Sequence, residues 1–464
     1  MDLYDALPYG TKPSRATHPD RAFAVARLHG VDPGDVGSAR VLELGCGTGL
    51  NLLPMAAALP HAELVGVDTS AVQIGMGRAH VEALGLTNLT LDALDLREAP
   101  AGPFDLVVAH GLWSWVPPDV QEAVFDTVKR VLAPQGVAFV SWNALPGWRV
   151  RGTVRDLLRR HVAPDTPPRA QLHAARELLS LWVASEPSDP FAELVRQEAV
   201  RLAGKGDDTL FHDYLAPHNE PVYLDTFRAR AKAGGLALLG EAELQTAPEG
   251  PLVDGCLDRA LAGDVLTGRA FHRSLLCHEG QGNAFQPEAL GELWLRGRVV
   301  AMGQDASGSF AFGRGGEPRL TTQNPQLASA LAAMSGPGAL RFGDLAAMVQ
   351  GEGAELLRLM SACVLHGFVE PLARAPGAAM QLGPLPQAWA PARHLAEEGS
   401  PWVPSLHHEP IAVDGFDRAL LVALDGACDQ GTLVARLAAG GHGVATVPER
   451  LLAMVEAGLF VDGV

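Results

Sequence analysis

Short apolar runs alternate with helical periodicity along the first 150 residues. The first run, residues 39–44, ends at a glycine-rich loop, and a helical pattern follows it as far as Pro60. Further strand-like runs cover residues 63–67, 88–91, 104–108 and 136–140, and helices are predicted over 71–84 and 119–132. Because strands alternate with helices, the pattern predicts a parallel, doubly wound α/β sheet within residues 1–150.

The pattern becomes purely helical after this region. Residues 149–206 carry helical periodicity with no strand signal, and a helix near 221–234 and strands near 236–241 and 269–277 follow. We therefore expect a helical insertion over residues 151–215, inside a sheet domain that residues 216–285 complete. Ligands bind at the carboxyl ends of strands in such sheets, so this insertion should cap the site.

Two similar stretches occupy the C-terminal third of the chain. Residues 286–330 are predicted to form a linker, with a loop or hairpin over 304–317. The stretches 327–370 and 418–461 each consist of helices that end at a glycine before a strand, which is typical of winged-helix-like units. Residues 331–464 carry 7 basic and 14 acidic side chains, net −7, which favours a recognition or regulatory module over DNA binding.

The composition is that of a globular, acidic protein. Apolar residues make up 47%, and the net charge of 36 − 53 = −17 argues against broad binding to nucleic acid or anionic membranes. Five scattered cysteines form no CxxC pair, so we expect no disulfide framework and no metal site. The start of the chain lacks a signal-peptide pattern and no apolar run is long enough to span a membrane, which predicts a cytoplasmic location.

The acidic residues at three strand ends indicate the ligand. Glu43 lies two positions before the glycines of Gly45-Cys-Gly47-Thr-Gly49. A carboxylate there repels a pyrophosphate but suits the α-ammonium of S-adenosyl-L-methionine (SAM), which carries no phosphate. Asp68 can accept hydrogen bonds from both ribose hydroxyls, and Asp95 can accept one from the adenine amino group. The sequence therefore predicts SAM as the cofactor, with S-adenosyl-L-homocysteine as its product.

Motifs outside this core resemble those of bacterial class I SAM-dependent methyltransferases with a methyltransferase regulatory domain. That group includes rickettsial lysine methyltransferases that modify an outer-membrane protein. The motifs are Tyr4-Asp5, Pro8-Tyr9, Thr17-His18-Pro19, Asn51-Leu-Leu-Pro-Met55, Ser70, Gln73-Ile74, Ala109-His-Gly-Leu-Trp-Ser-Trp-Val-Pro117, Ser141-Trp-Asn-Ala-Leu-Pro-Gly-Trp148, His212-Asp213 and Asn219-Glu-Pro-Val-Tyr223. The resemblance covers residues 1–280 well and the C-terminal units less closely.

The resemblance implies a Rossmann-like class I methyltransferase sheet with a helical cap and winged-helix-like C-terminal units. It also implies that Tyr4 and Tyr9 fold over the cofactor as a lid, and that the acceptor is a protein lysine. Trp113 and Trp142 stand where the family's motifs have Tyr, so the shape of the pocket should differ. The predicted cofactor-binding set is Tyr4, Tyr9, Glu43, Gly45, Cys46, Gly47, Gly49, Asn51, Asp68, Thr69, Gln73, Leu94, Asp95, Leu96, His110 and Gly111.

Four of the eight tryptophans fall between residues 113 and 148, in loops expected to face the methyl group. Trp113 and Trp148 are candidates for an aromatic wall that holds a methylated amine, with packing beneath the cap as the alternative. Trp115 is expected to pack against the turn at Pro117. Asn143 follows the fifth strand rather than the fourth, so it is not part of an NPPY motif, although its carbonyl can accept from an amine.

Two further residues complete the predicted catalytic set. His212 and Tyr223 flank the late helix, where they either orient the acceptor and carry a proton or simply cap and pack that helix. The set is therefore Trp113, Asn143, Trp148, His212 and Tyr223.

Three hypotheses for function stay open. The first is a methyltransferase for protein lysines, whose large accessory region recognises a macromolecule and whose insertion can form a homodimer. The second is a small-molecule O- or N-methyltransferase, which predicts that residues 286–464 can be deleted without loss of activity. The third is a non-catalytic cofactor-binding scaffold, which predicts loss of the pocket aromatics. A nucleic-acid methyltransferase is opposed by the acidic balance and the missing NPPY motif.

Overall fold

A seven-stranded sheet forms the centre of the protein in a computed structural model that describes residues 10–244, 259–282, 284–305 and 307–461. Its strands are β1 (Arg40–Leu44), β2 (Glu63–Asp68), β3 (Leu89–Ala93), β4 (Phe104–Ala109), β5 (Leu132–Asn143), β6 (Leu236–Glu241) and β7 (Phe271–His278). They lie in the order β3-β2-β1-β4-β5-β7-β6, and β7 runs antiparallel to the other six strands. The sheet confirms the predicted Rossmann-like α/β fold.

Helices cover both faces of this sheet. In chain order they are α1 (Pro19–Leu28), α2 (Leu52–Ala58), α3 (Ala71–Ala83), α4 (Pro118–Val131), the insertion helices α5 (Trp148–His161), α6 (Pro168–Val183) and α7 (Pro190–Ala203), then α8 (Leu224–Ala233) and α9 (Arg259–Thr267). Successive residues of a strand point to opposite faces of the sheet, and each face has its own hydrophobic core. Val41 of β1 and Phe139 of β5 pack in one core, whereas Leu42 and Ala138 pack in the other. Burial on both faces explains why the strands appear as continuous apolar runs.

The helical insertion has a core of its own. Val154 and Leu158 of α5 pack against Leu202 of α7 and against Phe211 and Tyr214 of the turn that follows. This turn, Leu210–Leu215, is π-helical and returns the chain to the sheet. Leu181 and Phe191 are exposed on α6 and α7, and the dimerisation expected for the insertion stays a prediction.

The first C-terminal unit begins earlier than the sequence predicts. Its elements are β8 (Trp294–Gly297), the meander β9 (Val300–Gln304), β10 (Phe310–Arg314) and β11 (Glu317–Thr322), then α10 (Pro325–Ala333), β12 (Leu340–Arg341), α11 (Phe342–Met348), α12 (Gly353–Leu365) and β13 (Val369–Leu372). Leu295 pairs with both Leu340 and Pro371. The predicted linker 286–330 is therefore wrong, because β8 has partners more than 40 residues away that local periodicity does not reveal.

The second C-terminal unit contains α13 (Ala390–Glu397), the hairpin β14 (Trp402–Pro404) and β15 (Pro410–Ala412), α14 (Gly415–Ala423), α15 (Gln430–Ala439) and α16 (Val447–Glu456). Gly367 and Gly458 follow α12 and α16, and both have φ of 73°. Side chains rarely adopt this left-handed conformation, so glycine ends each helix before the chain turns into an extended segment. No helix in the described parts of the chain is long and apolar enough to cross a membrane.

A buried ion cluster joins the N-terminal segment to the C-terminal units. Glu370 of β13 has a side chain only 1% exposed, and it lies 3.2 Å from Arg15, 2.5 Å from Arg21 and Arg296, and 3.8 Å from Arg298. Burial opposes its ionisation, but the surrounding guanidinium groups outweigh burial and hold the pKa of Glu370 well below its ordinary value. Glu370 is therefore the carboxylate around which these segments assemble.

We expect Glu370→Gln to lower the free energy of unfolding at pH 7 by about 3–5 kcal/mol, because it removes the nearest carboxylate of the buried Arg21 and Arg296 guanidinium groups. Since the pKa of Glu370 is depressed in the folded state, its stabilisation is present at neutral pH and is lost as the pH falls through that pKa. The difference in the free energy of unfolding between Glu370→Gln and the wild type should therefore become smaller at acidic pH. Urea unfolding at several pH values measures both effects.

Glu355→Gln is the matched control, because Glu355 forms an exposed i,i+3 pair with Arg358 on α12. It should unfold like the wild type. Equal stability of the two glutamine variants would contradict the assigned role of Glu370.

Candidate active site

A cavity of about 1040 Å³ lies at the carboxyl ends of β1 to β5. The loop after each strand contributes to its wall, as do the N-terminal segment, the insertion and both C-terminal units. The predicted residues that line it are Glu43, Gly45, Gly47, Asn51, Asp68, Thr69, Gln73, Leu94, Asp95, Leu96, His110, Gly111, Asn143, Trp148 and His212. Parallel strands end at one edge of the sheet, which is why residues distant in sequence meet here.

The glycine loop forms the floor of the cavity. The Gly45 N–H donates to the Val67 carbonyl at 2.8 Å, and the Gly47 N–H donates to Asp68 Oδ2 at 2.8 Å. All three loop glycines have positive φ, and a Cβ on Gly49 would lie 2.8 Å from the side chain of Leu91. Gly49 therefore serves the packing of the loop and does not line the cavity. Cys46 does not line it either, since its buried thiol lies against Gly66 of β2.

Glu43 is the buried acidic group of this wall. Its Oε1 accepts a hydrogen bond from Asn51 Nδ2 at 2.9 Å, whereas its buried Oε2 has no hydrogen-bond partner among the described residues. Burial raises the pKa of Glu43 to about 8, with the Asn51 hydrogen bond opposing the shift and Asp68 adding to it. An unpaired carboxylate oxygen at the cavity wall fits a cationic group of a ligand.

Asp68 and Asp95 occupy the ends of the next two strands. Asp68 accepts hydrogen bonds from the backbone N–H groups of Gly47 and Ser70, at 2.8 and 2.9 Å, which fix its carboxylate beside the loop. Asp95 accepts from the Arg97 N–H at 2.8 Å and also pairs with the Arg97 guanidinium at 3.1 Å. Both carboxylates line the cavity while also capping their turns.

His110 is held neutral in the loop after β4. Burial lowers its pKa to about 4, with Arg273 adding to the shift. The Ser141 hydroxyl accepts from the Gly111 N–H at 2.8 Å and lies 2.9 Å from His110 Nδ1, to which it can donate. The imidazole is thus positioned as an uncharged wall of the cavity.

Aromatic and polar groups form the opposite side of the cavity, below the insertion. The rings of Trp115 and Trp148 meet edge to face, with centroids 5.9 Å apart. Trp148 Nε1 is buried and has no hydrogen-bond partner within the described ranges. Asn143 Nδ2 donates to Asn219 Oδ1 at 2.9 Å, so its carbonyl oxygen is the acceptor left to the cavity.

Carboxylates of the turn after α7 add negative charge on this side. Asp208 and Asp213 both line the cavity, next to His212. Burial and the nearby Asp208 raise the pKa of Asp213 to about 6, against the opposing charges of neighbouring arginines.

The placement of Trp113 corrects the predicted aromatic wall. Trp113 is 0% exposed and packs in the core against Phe125 and Phe227, with ring centroids 5.9 and 5.2 Å away. The 3₁₀ turn Trp113–Trp115 directs the first indole inward and the second toward the cavity. Trp115 therefore takes the place predicted for Trp113, rather than only packing at Pro117.

Two other residues singled out in the sequence, Tyr223 and Trp142, do not line the cavity. The Tyr223 ring lies 5.9 Å from the Arg149 guanidinium and does not line the cavity. Trp142 stacks between Phe227 and His272, at 4.5 and 4.3 Å, in agreement with packing. Tyr4 and Tyr9 lie outside the described residues, so their lid stays a prediction.

Several charged residues that line the cavity were not predicted from the sequence. They are Arg15, Arg151, Glu243, Arg273, Arg298, Arg314 and Glu409. Arg298 and Glu409 form an ion pair at 2.6 Å across the two C-terminal units. No local motif marks these residues, because they reach the cavity only through contacts between distant segments. Within the described ranges, no group of three His, Cys, Asp or Glu side chains can hold a metal ion.

Comparison with known proteins finds family matches for two segments of the chain. The family model described as a methyltransferase domain matches residues 41–136, and that described as "PKMT, C-terminal winged helix domain" matches residues 385–447. The second match confirms the winged-helix character predicted for the end of the chain.

Two uncharacterized Rickettsia prowazekii proteins are related in sequence. RP789 is 34% identical over 289 residues, which cover 59% of this chain and 52% of RP789. RP028 is 31% identical over 240 residues, which cover 51% of this chain and 96% of RP028. The chain thus spans about half the length of the first relative and nearly all of the second.

The solved structure of PKMT2 from Rickettsia typhi in complex with AdoHcy shares the fold. It matches with a TM-score of 0.86 at 22% identity, over 98% of this chain and 100% of that one. The two chains therefore share one fold over nearly their whole length. The chain therefore belongs to the family of S-adenosylmethionine-dependent methyltransferases that carry a PKMT-type C-terminal winged helix domain.

Proposed function

We propose that this protein transfers methyl groups from SAM to lysine side chains of a protein acceptor. The observation that carries the proposal is the cavity wall formed by Glu43, Asp68 and Asp95, in which a buried carboxylate oxygen of Glu43 has no hydrogen-bond partner among the described residues. Such a wall suits a ligand with an ammonium group, ribose hydroxyls and an amino-substituted ring.

The residues of the cavity wall match the chemical groups of SAM. Glu43 receives the α-ammonium group, Asp68 the ribose hydroxyls and Asp95 the adenine amino group, with Leu94 and Leu96 against the ring. The cofactor supplies a methyl group on a sulfonium, which an acceptor lone pair displaces in line. The protein's task is therefore to align the acceptor and to exclude water.

Acidic side chains favour a cationic acceptor at the other end of the cavity. Asp208 and Asp213 attract a lysine ammonium, while the walls of Trp115 and Trp148 remove water from it. Desolvation and a neighbouring sulfonium both lower the pKa of the lysine amine from its reference value of about 10.4. Asp213, whose pKa is about 6, is mostly ionised at neutral pH and can hold the released proton.

The PKMT name of the matched domain supports a protein acceptor. PKMT denotes protein lysine methyltransferase, and PKMT2 of Rickettsia typhi has the same fold over nearly its whole length. The C-terminal units also contribute Arg298, Arg314 and Glu409 to the cavity wall. The alternative hypothesis is a small-molecule acceptor. Such an acceptor does not need the C-terminal units for its recognition, so that hypothesis does not explain why they line the cavity.

Proton release tests the role of Glu43. Because its pKa is about 8, Glu43 is mostly protonated at pH 7, and a bound ammonium group favours its ionised form. Binding of S-adenosyl-L-homocysteine should release about one proton per site. Calorimetry in buffers of different ionisation enthalpy measures this number.

Glu43→Gln should bind S-adenosyl-L-homocysteine more weakly and release no proton. Asp95→Asn, the control, should still release the proton on binding. Buffer-independent heats for the wild type would refute the assignment.

Trp148→Ala tests the acceptor wall. We expect kcat/KM for the acceptor to fall about tenfold, since the loss of an aromatic face weakens contact with the amine, while affinity for S-adenosyl-L-homocysteine stays unchanged. Steady-state kinetics and calorimetry separate the two effects.

Trp113→Ala is the comparison variant. Because the Trp113 ring is buried in the core, its truncation should lower the free energy of unfolding by about 3–5 kcal/mol. If Trp148→Ala destabilises the protein equally and turnover per folded molecule is normal, the Trp148 ring is structural.

Labelling identifies the acceptor class. Host extract is incubated with the protein and SAM radiolabelled in its methyl group, then separated into protein, nucleic-acid and small-molecule fractions. We expect label in protein, recovered as methyl-lysine after hydrolysis. Label confined to small molecules would favour the O- or N-methyltransferase alternative, and Asp68→Ala, which removes the ribose acceptor, is the inactive control.

A further inference from the structure

A turn of the second C-terminal unit reaches the cofactor side of the cavity. The turn joins β14 to β15, and it is closed by a hydrogen bond from the His408 N–H to the Ser405 carbonyl at 2.9 Å. His408 is 3% exposed although it belongs to a hairpin turn. The next residue, Glu409, lines the cavity itself.

The His408 ring contacts Asn51, which follows shortly after the glycine loop. His408 Nε2 lies 2.9 Å from Asn51 Oδ1, and the Ser14 N–H donates to the same oxygen at 3.0 Å. A backbone N–H can only donate, so it fixes which end of the Asn51 amide is oxygen. His408 Nε2 must therefore carry a proton and donate, and Asn51 Nδ2 must face Glu43, to which it donates at 2.9 Å.

The backbone of His408 supports a role for its ring. Among the described residues, His408 is the one non-glycine residue with positive φ, at 57°. Glycine adopts this conformation at no steric cost, whereas a side chain there is strained. The imidazole at this position is buried and hydrogen-bonded to Asn51. We infer that this contact of the ring offsets the backbone strain.

We propose that His408 of the C-terminal winged helix domain is a positioning residue for the cofactor's amino-acid part, acting through Asn51 on Glu43. The chain of hydrogen bonds runs from His408 to Asn51 and then to Glu43 Oε1, and it leaves Glu43 Oε2 to the ligand. The C-terminal domain is then part of the cofactor site as well as of the acceptor site. This inference rests on the proposed cofactor site.

Two ligands separate the proposed role from general support of the fold. S-adenosyl-L-homocysteine carries the α-ammonium group that Glu43 receives, whereas 5′-methylthioadenosine has the same nucleoside and sulfur without the amino acid. For His408→Gly we expect about tenfold weaker binding of S-adenosyl-L-homocysteine and unchanged binding of 5′-methylthioadenosine. Calorimetry gives both dissociation constants, so catalytic activity is not needed as a readout.

Two further variants distinguish the hydrogen bond from the backbone strain. His408→Gln keeps an N–H donor of similar reach and should restore most of the lost affinity, although it retains the strain. His408→Asn tolerates the left-handed backbone, but its amide is too short to reach Asn51, so it should behave like the glycine variant and replaces it if that protein does not fold. Glycine and asparagine variants that bind S-adenosyl-L-homocysteine like the wild type would overturn the proposal.

His407→Phe is the matched control within the same turn. His407 is partly buried next to His408, and neither of its buried ring nitrogens has a hydrogen-bond partner among the described residues. Its substitution should leave the ratio of the two dissociation constants unchanged. A His408→Gly variant that weakens both ligands equally would indicate a structural role and contradict the inference. If the wild type binds neither ligand, the proposed function itself fails.

Discussion

The cluster of arginines around Glu370 holds together the segments that enclose the site. Arg15 and Arg21 belong to the N-terminal segment and α1, and Arg296 and Arg298 belong to the start of the C-terminal region. Removing these charges from water is costly, and the attraction of the guanidinium groups for Glu370 and for the nearby Glu243 and Glu409 offsets that cost. The cluster therefore fixes how the C-terminal units dock, and this docking closes the cavity.

The doubly wound sheet supplies the other fixed element. Its strands are buried on both faces, and their carboxyl ends collect Glu43, Asp68 and Asp95 at one edge. Two of these carboxylates are stabilised by backbone N–H groups or by an arginine, but Glu43 keeps one buried oxygen without a hydrogen-bond partner in the described structure. Burial raises the pKa of Glu43 to about 8, so a cation that binds beside it would favour the release of its proton.

The two ends of the cavity draw on different parts of the chain. The end proposed for the cofactor is lined by loops of the sheet, with Asn51 held by Ser14 and by His408 from the winged helix domain. The end proposed for the acceptor is lined by Trp148 and by Asp213 of the insertion. Insertion and C-terminal units thus contribute residues to the site instead of only covering it, which explains how an accessory region can influence a reaction at the sheet.

The sequence by itself determined the sheet, the cofactor loop and the acidic strand ends, because these depend on local periodicity and on a turn that demands glycine. It predicted Trp113 and Trp148 as an aromatic wall, and Trp148 does line the cavity, but only the course of one 3₁₀ turn decides that Trp115 and not Trp113 lines it as well. Tertiary structure alone decided the pairing of β8 with β12 and β13, and the approach of Glu409 and His408 to the site. These contacts join residues up to hundreds of positions apart, where burial and charge pairing, not local pattern, select the partners.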